Sequence, residues 1–158
     1  MDEQEARRPP ETRCSVAVFR KESLLLVRCQ EGGEQVWKLP GGHVHASEGV
    51  IACGRRELLE ETGLTAGRLH CAYVMDVEER ASGRFMVEIV LLPADPVLGE
   101  PHECESGRVP VFVPVTELAD LPLRPAQTGY LRGMYDLHRR DYTAVPDRAV
   151  AGIGRLQR

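Results

Sequence analysis

The stretch "RRELLEETGL", Arg55 to Leu64, sets three glutamates and two arginines among three leucines, and it follows "LPGGH" at Leu39 to His43. Apolar residues recurring at helical spacing predict a helix that runs to about Thr62 and stops at Gly63. Ser47 is read as its N-cap, and Glu48 suits the positive end of the helix. At about 3.6 residues per turn, Glu57, Glu60 and Glu61 are related as i, i+3 and i+4 and share one face. Ile51, Ala52, Leu58 and Leu59 fall on the broadly opposite arc, so the helix is expected to bury that arc and hold its carboxylates toward an open cleft. Like charges at this spacing cost roughly a few tenths of a kcal/mol per pair when exposed, and more when partly buried, so a cation is expected beside them. Arg55 and Arg56 supply one on a solvated helix face. A thiol-free cluster of oxygens is also the environment preferred by Mg²⁺ or Mn²⁺.

Working outward, "CSVAVFR" (Cys14–Arg20) and "SLLLVRC" (Ser23–Cys29) read as two strands of one hairpin about Lys21 and Glu22. "VWKLP" gives a third strand, ended by Pro40 and a tight turn at Gly41–Gly42. Downstream, "LHCAYVMDVEE" and "RFMVEIVLL" flank "RASG" as a second hairpin turning at Ser82–Gly83. "VPVFVPV" is a further strand, and "TELADL" a short helix with a Thr cap. Pro125 is expected to open a last helix whose Tyr130, Leu131, Met134 and Leu137 or His138 lie against the sheet. Strands and helices in this order predict an α/β (α+β) sandwich, a mixed sheet with helices on its faces.

The 158 residues, 42% of them apolar, suffice for one domain with its own core. Residues 1–12 read as a flexible lead-in, 13–140 as the domain, and 141–158 as a tail whose order the sequence leaves open. A net charge of -4 excludes broad attraction to a nucleic acid polymer or an anionic membrane. No apolar run approaches a membrane span and the N-terminus is polar, which reads as cytoplasmic. The five cysteines, Cys14, Cys29, Cys53, Cys71 and Cys104, include no C-x-x-C pair and read as reduced, small buried apolar residues.

Gly42, Glu48, Arg56-Glu57-Leu58, Glu60-Glu61 and Gly63-Leu64 together resemble the Nudix box, G-x5-E-x7-R-E-U-x-E-E-x-G-U, at all nine fixed positions in 23 residues. The resemblance implies a Nudix-type α/β/α sandwich over about residues 13–139. It also implies hydrolysis of a nucleoside diphosphate linked to another group, with water attacking a pyrophosphate in the presence of Mg²⁺ or Mn²⁺. Carried over by position, Glu57, Glu60 and Glu61 would be catalytic, metal-facing carboxylates and the Gly41 carbonyl a further ligand. Arg56 would orient a catalytic glutamate and pair with Glu48. Gly42 would let backbone approach the metal, and Gly63 would end the helix.

The family draws its general base from different places. Here Glu57 is one candidate, Glu103 and Glu105 in "GEPHECESG" are two more, and Glu88 inside "FMVEIVLL" is another; each of the last three also reads as an ordinary acid with a cation or solvent for a partner. Arg28, Lys38, His43 and His45 are candidate phosphate or substrate contacts, each with a plainer reading as a strand-end or loop side chain in solvent. Trp37 reads as packing. The implied partner is a small nucleotide, such as a nucleoside triphosphate, a modified nucleotide or a nucleotide sugar, and a homodimer is allowed. No proline or tyrosine stands where subfamilies specialised for ADP-ribose or dinucleoside polyphosphates carry one. A Nudix-fold sensor that binds nucleotides without turnover is the alternative from another class.

Overall fold

Strand Ser23–Glu31 buries Leu24, Leu25, Leu26 and Val27 in succession. A strand with apolar residues on both faces needs an apolar layer on each side. The computed structural model, which describes residues 9–79, 82–140 and 153–157, supplies both layers. Its strands are β1 (Glu11–Val16), β2 (Phe19–Arg20), β3 (Ser23–Glu31), β4 (Glu34–Lys38), β5 (Gly41–His43), β6 (Leu69–Glu78), β7 (Phe85–Pro93), β8 (Val109–Pro114) and β9 (Ile153–Gln157). Helix α1 spans Val50–Thr62 and α2 Thr128–Arg140, with a 3₁₀ turn at Val115–Asp120.

One mixed sheet runs β5-β1-β7-β6-β9, with β1–β7 and β6–β9 parallel and the other pairs antiparallel. In the second sheet β3 pairs antiparallel with β2, β4 and β8. Leu25, Cys14, Val16 and Leu91 face α1, where they pack on Cys53 and Leu58. Leu24, Leu26, Val90 and Leu92 face the other way, into the larger core that Leu131 of α2 completes. This is the expected α/β/α layering.

Several boundaries differ from the sequence expectation. "CSVAVFR" is split between the two sheets: Cys14 belongs to β1 in the larger one, and only Phe19–Arg20 forms the hairpin with β3. Gly41–Gly42 is strand rather than turn, since β5 pairs with β1 at Cys14–Gly42 and Ser15–Gly41. Gly49, not Ser47, stands at the N-cap of α1, and no side chain caps the helix. Likewise Pro114 rather than Thr116 precedes the 3₁₀ turn, and the last helix begins at Thr128, three residues beyond Pro125. Gly63 ends α1 as expected, with φ 75 and its N–H on the Leu59 carbonyl. Leu137 is exposed rather than packed, and Cys104 is exposed while Cys14, Cys29 and Cys53 are buried.

Residues 1–8 of the expected lead-in lie outside the described residues, as do 141–152 and 158 of the tail, and Glu11 and Thr12, expected in the lead-in, belong to β1 instead, paired with Met86 and Val87. Within that tail, 153–157 pair with β6 from Val74 to Glu78. Among the described residues no helix is long and apolar enough to cross a membrane.

Candidate active site

Helix α1 crosses β1 and β5, and the crossing is tight because two glycines leave room for it. Gly54 lies where a methyl group would meet Leu69 and Leu91. At the other contact the carboxylate of Glu57 rests over Gly42, in the space that a Cβ there would fill. The buried residues of α1 are Cys53, Gly54, Glu57, Leu58, Glu61 and Thr62. Two of the three acids therefore lie on the buried face itself, and Ala52 and Leu59, expected inside, point to solvent. Glu57 is 9% exposed and Glu61 4%. Desolvation of this order disfavours a carboxylate unless a cation or strong donor compensates.

Arginines offset part of this cost. Arg56 holds both oxygens of Glu48, through Nε at 3.0 Å and Nη2 at 2.6 Å, in the forked geometry that guanidinium and carboxylate share. Its Nη1 donates at once to Glu57 Oε1 at 2.8 Å and Glu60 Oε2 at 3.1 Å, and Nη2 reaches the His43 carbonyl at 3.2 Å. The hydrogen bonds from Arg56 pull the Glu48 carboxyl down to about 2, and those from Glu48 raise the guanidinium further above its ordinary value. Arg108, at the head of β8, donates through Nη2 to Glu61 Oε1 at 2.8 Å, and the Gly41 N–H faces Glu61 Oε2 at 3.4 Å. Burial raises the Glu61 carboxyl to about 7; Arg108 opposes the shift and the charge of Glu57 adds to it.

These side chains open on a cavity of about 550 Å³, which Gly41, Gly42, His43, His45, Lys38 and Glu105 also line. Lys38 is ion-paired with Glu31. His43 binds Glu11 at 2.9 Å, and the His45 N–H donates to Glu48 at 3.1 Å. The other candidates sit elsewhere. Glu103 accepts the Gly107 N–H at 2.8 Å and shapes the turn into β8. Glu88 is buried and bound by the Ser15 hydroxyl. Arg28 lies over the Trp37 ring, 5.9 Å from its centroid. Three lining residues escaped the sequence reading, Arg13, Glu31 and Arg108. A signal existed only for Arg108, which follows the Ser106-Gly107 turn dipeptide.

A profile of the NUDIX domain matches residues 9–134. The chain belongs to the NUDIX family. Among solved structures, a MutT NUDIX hydrolase from Burkholderia pseudomallei superposes with a TM-score of 0.67 at 29% identity, covering 79% of this chain and 98% of that one. A NUDIX hydrolase from Nitrosomonas europaea shares the fold with a TM-score of 0.72 at 17% identity, over 82% of this chain and 90% of that one. In sequence, phosphatase NudJ of Escherichia coli strain K12 is 33% identical over 61 residues, 39% of this chain and 40% of NudJ. The match thus spans well under half of that relative.

As the side chains stand, among the described residues no group of three or more His, Cys, Asp or Glu would hold a metal ion. Guanidiniums occupy the space between the carboxylates of this NUDIX site. The donor set nevertheless fits a hard divalent cation: all three acids offer oxygen from one helical turn, two of them are buried, and each already has a cationic partner, Arg56 for Glu57 and Glu60 and Arg108 for Glu61.

Proposed function

We propose that this protein hydrolyses the pyrophosphate bridge of a nucleoside diphosphate linked to another group, with Mg²⁺ or Mn²⁺ held by Glu57, Glu60 and Glu61 and the Gly41 carbonyl as a further ligand. The observation that carries the proposal is the pair of buried carboxylates, Glu57 and Glu61, facing an open cavity with the guanidiniums of Arg56 and Arg108 as their cationic partners. When bound, the cation supplies charge screening at the phosphoryl oxygens and a water of lowered pKa. The remaining work falls to the chain. Arg56 fixes Glu57 and Glu60 by anchoring itself on Glu48, which holds two ligands in place through one braced group. Glu105, on the cavity wall, and Glu57 are the two candidates to take a proton from the attacking water. Lys38 and Arg108 provide positive charge on the same wall for an anionic substrate.

The substrate class is a small nucleotide: a nucleoside triphosphate, a modified nucleotide or a nucleotide sugar. The test is a nucleotide panel incubated with the protein and Mg²⁺ or Mn²⁺. At least one member should release a phosphate-containing product, and Glu60→Gln or Glu61→Gln should slow release by roughly two to three orders of magnitude. Turnover unchanged in both variants overturns the proposal. Tight nucleotide binding without product would identify a sensor instead.

A further inference from the structure

The two arginines among the carboxylates are held very differently. Arg56 has all three nitrogens engaged, on Glu48, Glu57, Glu60 and the His43 carbonyl, and its side chain is a fixed brace. Arg108 makes one short bond, to Glu61, and a loose 3.5 Å contact from Nε to Glu105. That Nε is buried and has no hydrogen-bond partner among the described residues. The same holds for Nε of Arg13, which lines the same cavity. A guanidinium carries five N–H donors, so Arg108 keeps unused donors inside a cavity whose expected ligand is an anion. Its backbone, by contrast, is fixed: the Arg108 N–H bonds to the Glu105 carbonyl at 3.0 Å, and Gly107 before it takes φ 80.

From this contrast, and resting on the metal reading above, we infer that Arg108 is the exchangeable counter-cation of the site. In the metal-free protein it neutralises Glu61. When a divalent cation takes Glu61, the two cations repel, the bond to Glu61 is lost, and the fork of Arg108 turns to a phosphate oxygen of the substrate. Arg108 thus opposes metal binding in the absence of nucleotide and supports it in its presence. Metal and substrate are coupled through one side chain, and the coupling is reciprocal. Arg56 has no such freedom, because leaving its place would strand Glu48, Glu57 and Glu60 together.

The test uses Mn²⁺ titration followed by electron paramagnetic resonance, on wild type, Arg108→Ala and Arg108→Lys, without nucleotide and then with a non-hydrolysable nucleoside triphosphate analogue. Without nucleotide, Arg108→Ala should bind Mn²⁺ several-fold more tightly than wild type, on the order of threefold to tenfold. With Mn²⁺ saturating, it should bind the analogue about tenfold or more weakly, and Arg108→Lys should restore only part of that loss. If Arg108 serves merely to order Glu61, the alanine variant will bind Mn²⁺ equally or less well, and the inference is overturned. Unchanged affinity for the analogue overturns it too. A wild-type protein that binds no Mn²⁺, or binds it as well with Glu61→Gln, sinks the metal reading itself. Thermal unfolding of each variant in chelator verifies that the folded protein is being titrated.

Discussion

The carboxylate of Glu57 lies directly against Gly42, so that the second glycine of "LPGGH" and the first glutamate of "RRELLEE" form one packed unit. Neither Gly41 nor Gly42 has a positive φ. Their need for glycine is one of space. At Gly42 the obstacle to a Cβ is the end of a side chain, which can move; at Gly41 it includes the main chain of Cys14 and Ser15, which cannot.

Gly42→Ala should therefore fold, with a loss on the order of 1–2 kcal/mol as Glu57 is pushed off its position, while turnover falls about a hundredfold. Gly41→Ala should cost more in stability, about 2–4 kcal/mol, because backbone of β1 must shift. Urea unfolding and nucleotide turnover on the two variants check the order. Equal activity in wild type and Gly42→Ala would show that Glu57 need not sit there.

Metal-free stability should carry a signature of Glu61. Its carboxyl is raised from 4.5 to about 7, chiefly by burial. A raised acid is easier to keep protonated in the folded state than to ionise. Glu61 thus costs nothing at a pH well below 4.5, an increasing amount as pH climbs from there, and its full penalty above about 7. That penalty is on the order of 3 kcal/mol. Glu48, pulled down to about 2, acts in the opposite sense: its contribution is present above 4.5 and lost as pH falls toward 2. Comparing wild type with Glu61→Gln in chelator isolates the first effect. The glutamine variant should match wild type at pH 4 and be the more stable protein at pH 8, while being nearly inactive. Parallel stability curves for the two would contradict the burial argument.

Arg56→Lys should uncouple the brace from the acids it holds. Lysine keeps the charge but cannot make the two-point bond to Glu48 while also bridging Glu57 and Glu60. The guanidinium side chain is 24% exposed, so a loss of about 1–3 kcal/mol in chelator is expected, below that of a fully buried pair. Turnover should fall by roughly two orders of magnitude with a smaller change in KM, since ligand placement is disturbed more than substrate contact.

The packing of α1 gives a prediction independent of chemistry. Gly54→Ala would set a methyl group 2.5 Å from Leu91 Cδ1 and 3.2 Å from Leu69 Cδ1, so overpacking of about 1–3 kcal/mol is expected in urea unfolding. Stability equal to wild type would mean that the helix stands off from the sheet more than the structure shows.

The helix, its C-terminal glycine, the second hairpin and the layered fold were legible because each is written in local sequence: apolar period, Gly63 and the Ser82-Gly83 turn. The burial of Glu57 and Glu61 was not. Period alone puts the acids broadly opposite the leucines, whereas in the structure Glu57 and Glu61 share the inner face with Leu58 and line the cavity. The N-cap was missed because Glu48, beside Ser47, is taken up by Arg56 eight residues on rather than by the helix start. β5 is not legible as a strand because two glycines carry no strand signal of their own, and its pairing with β1 is set by tertiary contact. Arg108 meets Glu61 across 47 residues of sequence, a distance over which no local pattern speaks.

The central claim, a divalent cation among Glu57, Glu60 and Glu61, is tested most directly by crystals grown with Mn²⁺ and a non-hydrolysable nucleotide, read by anomalous scattering at the manganese edge. A peak is expected within coordination distance of oxygens of all three carboxylates, with the Arg108 guanidinium turned from Glu61 to phosphate. A map with no peak there, and with Glu57 and Glu60 still on Arg56 and Glu61 still on Arg108, would contradict it.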